Sequence, residues 1–456
     1  MQTLKQISFV LVSLTSLAWS AEPCRIQVID QQNGWPVPLV SLTTTHHVSL
    51  VTDNAGNACF DLPELMGQPT WLAVQGHGYS VPKDGFGYAG VKVTPQPGET
   101  ITIHVQRQLP AKRLGRITGA GLFAETQKLH LDLDWREQGV LGCDSVQNAI
   151  YQDRLFWVWG DTTLSHYPLG RFHSIAASTS LRPSDTWQPP LRLRYHYVTD
   201  QSGIARNVAH MPGTGPTWLS GLATVTDEAN RERLVATYTK IKPPLTPYEI
   251  GLCVWNDETL SFEKSAVIWA HSDTTPLPPP HPDGHAVRWT DDAGQTWLLF
   301  GDPFPFLRCA ATWSALQNPD AWEILEPQQS VPSREGNATV KPHRGSIAWS
   351  DYRHKWVAIF TQLGGDRSHL GEIWYAEAAS PFGPWSNAVH VVTHDQQTFY
   401  NPVIHREFTS SDSPILLFEG TYTKTFSQAP SATPRYEYNQ ILYRLDLDEL
   451  VAKKTE

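Results

Sequence analysis

Gly142-Cys143-Asp144-Ser145-Val146-Gln147-Asn148-Ala149-Ile150-Tyr151-Gln152-Asp153-Arg154-Leu155-Phe156-Trp157-Val158-Trp159-Gly160-Asp161 is the stretch from which the rest of the chain is read. One strand opens on Asp144, a tight turn falls at Gln152-Asp153-Arg154, and a second strand runs from Leu155 to Trp159 before Gly160-Asp161. A hairpin returns to its own starting edge. Two carboxylates, Asp144 and Asp161, are thereby expected at one end of one sheet.

The same grammar recurs four times downstream. A second unit holds Pro216-Thr217-Trp218-Leu219, Arg233 to Tyr238 ending at Lys240, and Tyr248-Glu249. A third holds Gly284-His285, Trp297 to Phe300 ending at Gly301-Asp302, and Leu307-Arg308. A fourth holds His343-Arg344, Trp356 to Phe360 ending at Gln362, and Gly371-Glu372; a fifth holds Tyr400-Asn401, Ile415 to Phe418 ending at Glu419, then Tyr422 and Tyr438-Asn439. The openings Asp144, Trp218, His285, Arg344 and Asn401 follow at intervals of roughly 55 to 75 residues, longer than common propeller repeats. The extra length goes into polar, Pro-rich insertions such as 276–282 and 326–342. The expected fold is all-β: a five-bladed β-propeller over 137–456, preceded by a small β-sandwich.

Composition agrees with an all-β reading, with 18 Trp and 35 Pro in 456 residues. A net charge of −10 without a basic run argues against nucleic acid as a partner. Lys5, the apolar run from Ile7 to Leu17 and Ala18-Trp19-Ser20 read as a secretory signal peptide over 1–20. No later run reaches the roughly 20 apolar residues of a membrane span, so a secreted or periplasmic protein is expected. In that compartment Cys24 and Cys59 are the expected disulfide pair, and Cys143, Cys253 and Cys309 lie in apolar strands.

Residues 21–108 alternate in short strands between turns. Val51-Thr52-Asp53-Asn54-Ala55-Gly56, Phe60-Asp61-Leu62-Pro63 and Gly78-Tyr79 resemble the carboxypeptidase-regulatory-like, transthyretin-like sandwich. The resemblance implies an accessory module with a structural or spacing role. Residues 109–136 form the joint. Lys112 to Gly121, small and basic, suits an exposed linker; Leu129 to Trp135 alternates strictly and reads as a strand, either the candidate ring-closing strand or a simple interdomain strand.

In a propeller the innermost strands start at one face, and the ends of second strands and starts of third strands return there. That rule gathers Asp144, Asp161, His173, Trp218, Tyr238, Lys240, Glu249, His285, Asp302, Arg308, Arg344, Gln362, Glu372, Tyr400, Asn401, Glu419, Tyr422 and Asn439. Several carboxylates among Trp and Tyr suit glycoside hydrolysis, which needs one carboxyl protonated and another ionised. Cys143-Asp144-Ser145, Trp157-Val158-Trp159-Gly160 and Ser380-Pro381-Phe382-Gly383-Pro384-Trp385 resemble five-bladed glycosidases of the arabinanase, β-xylosidase and neoagarooligosaccharide hydrolase type. The resemblance implies Asp144 as base or nucleophile. The family's second Asp and its acid Glu open later inner strands, and the three later openings Trp218, His285 and Arg344 carry neither residue here, so the acid is sought among Glu372, Asp302, Glu419 and His285, with Asp161 tuning or orienting Asp144.

Trp218 is the expected sugar platform. Tyr238, Lys240, Glu249, Arg308, Arg344, Gln362, Tyr400, Asn401 and Tyr422 are expected to bind substrate, and Lys240, Arg308 and Arg344 suggest an anionic sugar. The expected partner is a plant or algal polysaccharide or oligosaccharide. No cofactor is required and no metal site is assigned, although His281, Asp283 and His285 alternate and an axial channel has room for a cation such as calcium. Two other functions remain open: a polysaccharide lyase using His285 or His173 with Tyr400 or Tyr422, and a non-catalytic glycan-binding propeller.

Overall fold

A computed structural model describes residues 22–131, 138–166, 174–181, 184 and 186–452. The leader over 1–20, His173 and the 132–135 part of the candidate closing strand lie outside the described residues.

The N-terminal part consists of two four-stranded sheets around one core. One orders its strands Asn57–Phe60, Cys24–Asp30, Thr100–Arg107 and Tyr79–Ser80; the other orders Ser49–Val51, Ser41–Thr44, Thr70–Gln75 and Gly90–Val93. Strand Cys24–Asp30 buries every second residue, the period that pleating imposes, and sends Ile26 and Val28 inward against Leu42, Phe60 and Leu72. At Gly56 the backbone has φ +67°, and a Cβ there would stand 2.6 Å from the Val28 carbonyl oxygen. Only glycine closes that turn.

The expected disulfide is absent. Cys24 and Cys59 are both free and buried. Cys59 pairs across the ladder with Arg25, so Cys24, one residue away, points to the opposite face of the sheet. Cys24 enters the core between the sheets, while the Cys59 backbone N–H donates to Glu125 Oε2 at 3.1 Å on the outer side.

The larger part is a β-propeller, built among the described residues from five four-stranded sheets of antiparallel strands. The first contains Gln147–Tyr151, Arg154–Trp159, Ile175–Ser180 and His196–Tyr197. Its hairpin closes through Gln152 and Asp153, both at positive φ (49° and 55°), with Tyr151 opposite Arg154. Two positive-φ residues give the turn whose twist matches the strands. Innermost strands of the second to fifth sheets are Thr217–Thr226, His285–Thr290, Pro342–Ser350 and Thr398–Ile404. Each inner strand touches the next in order. The fifth meets the first through Asn401 Nδ2 to Ser145 Oγ at 2.9 Å and Asn148 with His405 Nδ1 at 3.2 Å, which closes the ring.

Ring closure departs from expectation. The outer strand of the fifth sheet is Lys112–Arg116, paired antiparallel with Asn439–Asp446 in the register Tyr443 opposite Arg113. This segment is buried along its whole length rather than an exposed linker. Its basic composition misled because each charge is satisfied inside the protein. Arg113 donates to the Tyr443 hydroxyl at 2.9 Å and to the carbonyls of Pro38 and His77 at 3.0 and 2.6 Å, while Lys112 pairs with Asp446 and Glu449. Buried charge is tolerated when fully hydrogen-bonded. Leu129, His130 and Leu131 follow the short helix Ala124–Lys128 and belong to no strand.

Candidate functional site

Asp144 occupies the step between the ribbon strand Val140–Cys143 and the first inner strand. Its backbone is pinned at both ends: its N–H donates to the Asp161 carbonyl at 3.2 Å and its carbonyl accepts from Gly160 N at 2.8 Å. The two aspartates are thus held side by side by the hairpin, and their residues are only 7% and 8% exposed. Tyr400 and Tyr438, arriving from the fifth sheet, both donate their hydroxyls to Asp144 Oδ2, Tyr438 at 2.8 Å. Trp218, opening the second inner strand, donates its indole N–H to Asp161 Oδ1 at 3.1 Å.

These partners separate the two carboxyls chemically. Burial raises Asp144 above the usual carboxylate range, and the two tyrosine hydroxyls, which stabilise the anion, oppose that rise. Asp161 has only the indole against burial and the neighbouring Asp144 charge, and is pushed up to about 7. The two tyrosine donors favour the charged form of Asp144, and that charge in turn favours the protonated form of Asp161. Tyr400 and Tyr438 are both raised well beyond their ordinary value by burial and by Asp144, so they remain protonated donors.

Across the ring stands a second group. Arg344 Nη1 donates to Asp302 Oδ2 at 2.6 Å, and Gly345 N donates to Asp302 Oδ1 at 2.8 Å. Burial pushes Asp302 up to about 6 despite the opposing Arg344 charge. The Arg344 side chain keeps 46% of its surface exposed, which places it at the mouth. Its guanidinium is raised first by Asp302 and also feels Tyr400, linking this pair to the Asp144 group. His285 is pushed down to about 4 by burial and then by Arg344, so it is neutral at physiological pH. Asp283, beside it, accepts from the Ser220 hydroxyl; burial alone would raise its carboxyl, but Ser220 and Arg344 together take it below the usual range.

Beneath this cluster lies a cavity of about 570 Å³, lined by inner-strand residues that include Asn148, Leu222, Val287, Ser346 and Trp349. His285 lines it; Asp144, Asp161 and Asp302 do not. Among the described residues no group of three His, Cys, Asp or Glu is placed to hold a metal ion.

Of the residues expected to converge, the structure brings together Asp144, Asp161, Trp218, Tyr400 and Asn401 on one side and His285, Asp302 and Arg344 on the other. The remainder are engaged elsewhere. Glu372 accepts from Thr393 Oγ1 at 2.9 Å and lies 2.7 Å from His390 Nε2. Glu419 is fully buried against His405 Nε2 at 2.8 Å. Tyr238 donates to Glu249 at 2.8 Å, and Glu249 also accepts from Lys264. Lys240 is buried on the carbonyls of Met211 and Gly215, Arg308 pairs with Glu323 over the Trp297 ring, and Gln362 accepts from Trp374. Tyr422 contacts His77 of the sandwich at 3.0 Å.

The reason is radial. Each successive strand of a blade lies roughly 4.8 Å farther from the axis. Residues in or beside third strands, such as Glu249, Arg308 and Glu372, share the face without reaching the funnel, whereas Asp161 and Asp302, just past the ends of second strands, turn back onto the inner-strand openings at Asp144 and Gly345. Reasoning from strand ends also missed Tyr438 and Asp283. Tyr438 sits one residue before the expected Asn439, and its φ of +59° turns it inward; the aromatic pair Tyr436 and Tyr438 was the available signal.

No known protein family and no curated protein sequence matches the chain. Among solved structures it is similar to an exo-1,5-α-L-arabinanase from a bovine ruminal metagenomic library, with 8% identity, 67% of this chain and 94% of that one covered, and TM-score 0.38. It is also similar to an exo-β-1,3-galactanase from Phanerochaete chrysosporium bound to galactose, with 11% identity, 68% and 61% covered, and TM-score 0.37. A third is an N-acetylgalactosamine deacetylase from F. plautii, with 11% identity, 74% and 94% covered, and TM-score 0.40.

Proposed function

We propose that this protein is an exported glycoside hydrolase acting on a plant or algal polysaccharide or oligosaccharide. The observation that carries the reading is the buried Asp144 carboxylate, held by two tyrosine hydroxyls beside an Asp161 that keeps its proton to about pH 7. Asp144 draws a proton from water as the water oxygen attacks the anomeric carbon. The glycosidic C–O bond breaks, and the leaving oxygen takes a proton from Asp302, whose carboxyl is held up to about 6. Trp218 offers the sugar a face, and Asp161 fixes the charge of the pair.

The lyase reading is weaker here, because it needs a tyrosinate or a basic histidine. Tyr400 is held well above its ordinary range and His285 well below its own. Of three cations proposed to meet an anionic sugar, only Arg344 stands at the funnel, and it already serves Asp302. The test is a panel of neutral, uronic and sulfated glycans incubated with the full chain, with detection of both new reducing ends and ultraviolet-absorbing unsaturated products. Reducing ends alone are expected. Unsaturated products would select the lyase, and binding without turnover would select a glycan-binding module; either sinks the hydrolase.

A further inference from the structure

The segment Arg435-Tyr436-Glu437-Tyr438 joins two parts of the molecule. Tyr436 is 4% exposed. Its hydroxyl donates to the Thr52 carbonyl at 2.7 Å and accepts from Leu39 N at 3.1 Å, both in the N-terminal sandwich. Arg435 Nη1 donates to Glu125 Oε1 at 2.5 Å, and Glu125 in turn accepts from the backbone of Cys59. Two residues after Tyr436, the Tyr438 N–H donates to the Tyr422 carbonyl at 2.8 Å and its hydroxyl reaches Asp144. Asn439 Nδ2 braces the turn on the carbonyls of Leu141 and Glu437 at 3.0 and 3.2 Å.

Two residues of chain cannot absorb much displacement. A residue spans at most about 3.3–3.6 Å, and a hydroxyl–carboxylate hydrogen bond holds only between roughly 2.5 and 3.0 Å. An anchor that shifts by an ångström therefore carries the tyrosine hydroxyl out of reach. We infer that the N-terminal sandwich is part of the scaffold of the carboxylate site, with Tyr436 as a positioning residue that sets the Tyr438 hydroxyl on Asp144. The sandwich is then more than the spacer its sequence implied. This deepens the proposed function and rests on the same site, but not on which bond the site breaks.

The test needs no substrate. Full-length protein carrying ¹³C-carboxyl aspartate is titrated by NMR, with the Asp144 resonance identified through Asp144→Asn. The groups facing that carboxylate are Asp161, Tyr400, Tyr438 and Ser145, with Arg344 beyond Tyr400. Tyr438→Phe removes one bond to the anion and is expected to raise the midpoint by about 0.5 to 1 pH unit. Tyr436→Phe should raise it in the same direction by part of that amount. The double variant should match Tyr438→Phe alone, because both act along one path. Arg107→Gln, which removes a contact to Glu449 elsewhere on the domain junction, should leave the midpoint in place.

A Tyr436→Phe protein that melts earlier with an unmoved midpoint overturns the proposal, as does an equal shift in Arg107→Gln. Should Tyr436→Phe not fold, Arg435→Gln carries the same expectation through the Glu125 contact. Absence of turnover on every glycan would defeat the hydrolase reading while leaving this one to stand on the titration.

Discussion

The Tyr438 hydroxyl donates to Asp144 Oδ2 across 2.8 Å, and the two residues are 294 positions apart in the chain. Ring closure brings them together: the third strand of the last sheet, beginning just after Tyr438, stands beside the start of the first inner strand. A carboxylate in this setting is neither a loop cap nor a solvated surface charge. It is buried, clamped by two donors and paired with a second acid, an arrangement that separates proton affinities.

Replacing Asp144 with Asn keeps an oxygen that accepts the two tyrosine hydroxyls while removing the base. Turnover is expected to fall by about 10²- to 10⁴-fold with the fold retained. Rates at saturating substrate, compared with near-ultraviolet circular dichroism of the same samples, check both halves of the expectation.

Stability should depend on pH through Asp161. Its carboxyl titrates near 3.8 in an unfolded chain and at about 7 in the folded one, so the native protein binds that proton more tightly. The contribution is fully present below about pH 4 and is lost as pH rises through about 7. Asp161→Asn removes it while preserving an acceptor for Trp218. Thermal midpoints from pH 4 to 8 should fall more steeply in the parent than in the variant, with the variant the more stable of the two at pH 8.

Arg344→Gln takes away the charge that holds Asp302 down. Asp302 should then rise above its present value of about 6, and the alkaline limb of the kcat/KM profile should move to higher pH. A profile whose limb stays in place would show that Asp302 does not supply the proton.

Glu372→Gln and Glu419→Gln are expected to keep turnover per folded molecule, since neither carboxyl faces Asp144 or Asp302. Glu419→Gln should nevertheless lose about 1–3 kcal/mol of stability, because it disturbs a fully buried partner of His405. Denaturant titration beside initial rates separates the two effects. A collapse of activity in either variant at intact stability would return it to the catalytic group.

Much of the architecture was legible because its signals are local. Gln152-Asp153 between alternating strands marks a hairpin, and the recurrence of polar strand ends around apolar strand bodies marks repeated sheets. Asp144, Asp161, Trp218, Tyr400, Asp302 and Arg344 were placed at converging strand edges this way. Lys112–Arg116 was misread because its charges look solvated until the carbonyls of Pro38 and His77 and the carboxylates of Asp446 and Glu449 are seen around them. The Cys24 and Cys59 pairing failed on a register offset of one residue, which no composition reveals.

By itself, then, the order of residues determined that the chain would form antiparallel sheets in series and which side chains would stand at their edges, since strand period and turn chemistry act over a few residues. Only the tertiary structure decided how far from the axis each edge residue lies, which segment completes the last sheet, and that Tyr438 shares a proton acceptor with Tyr400. Those outcomes depend on strand order, on the outward step between strands and on packing between segments hundreds of residues apart, none of which is written in any local stretch.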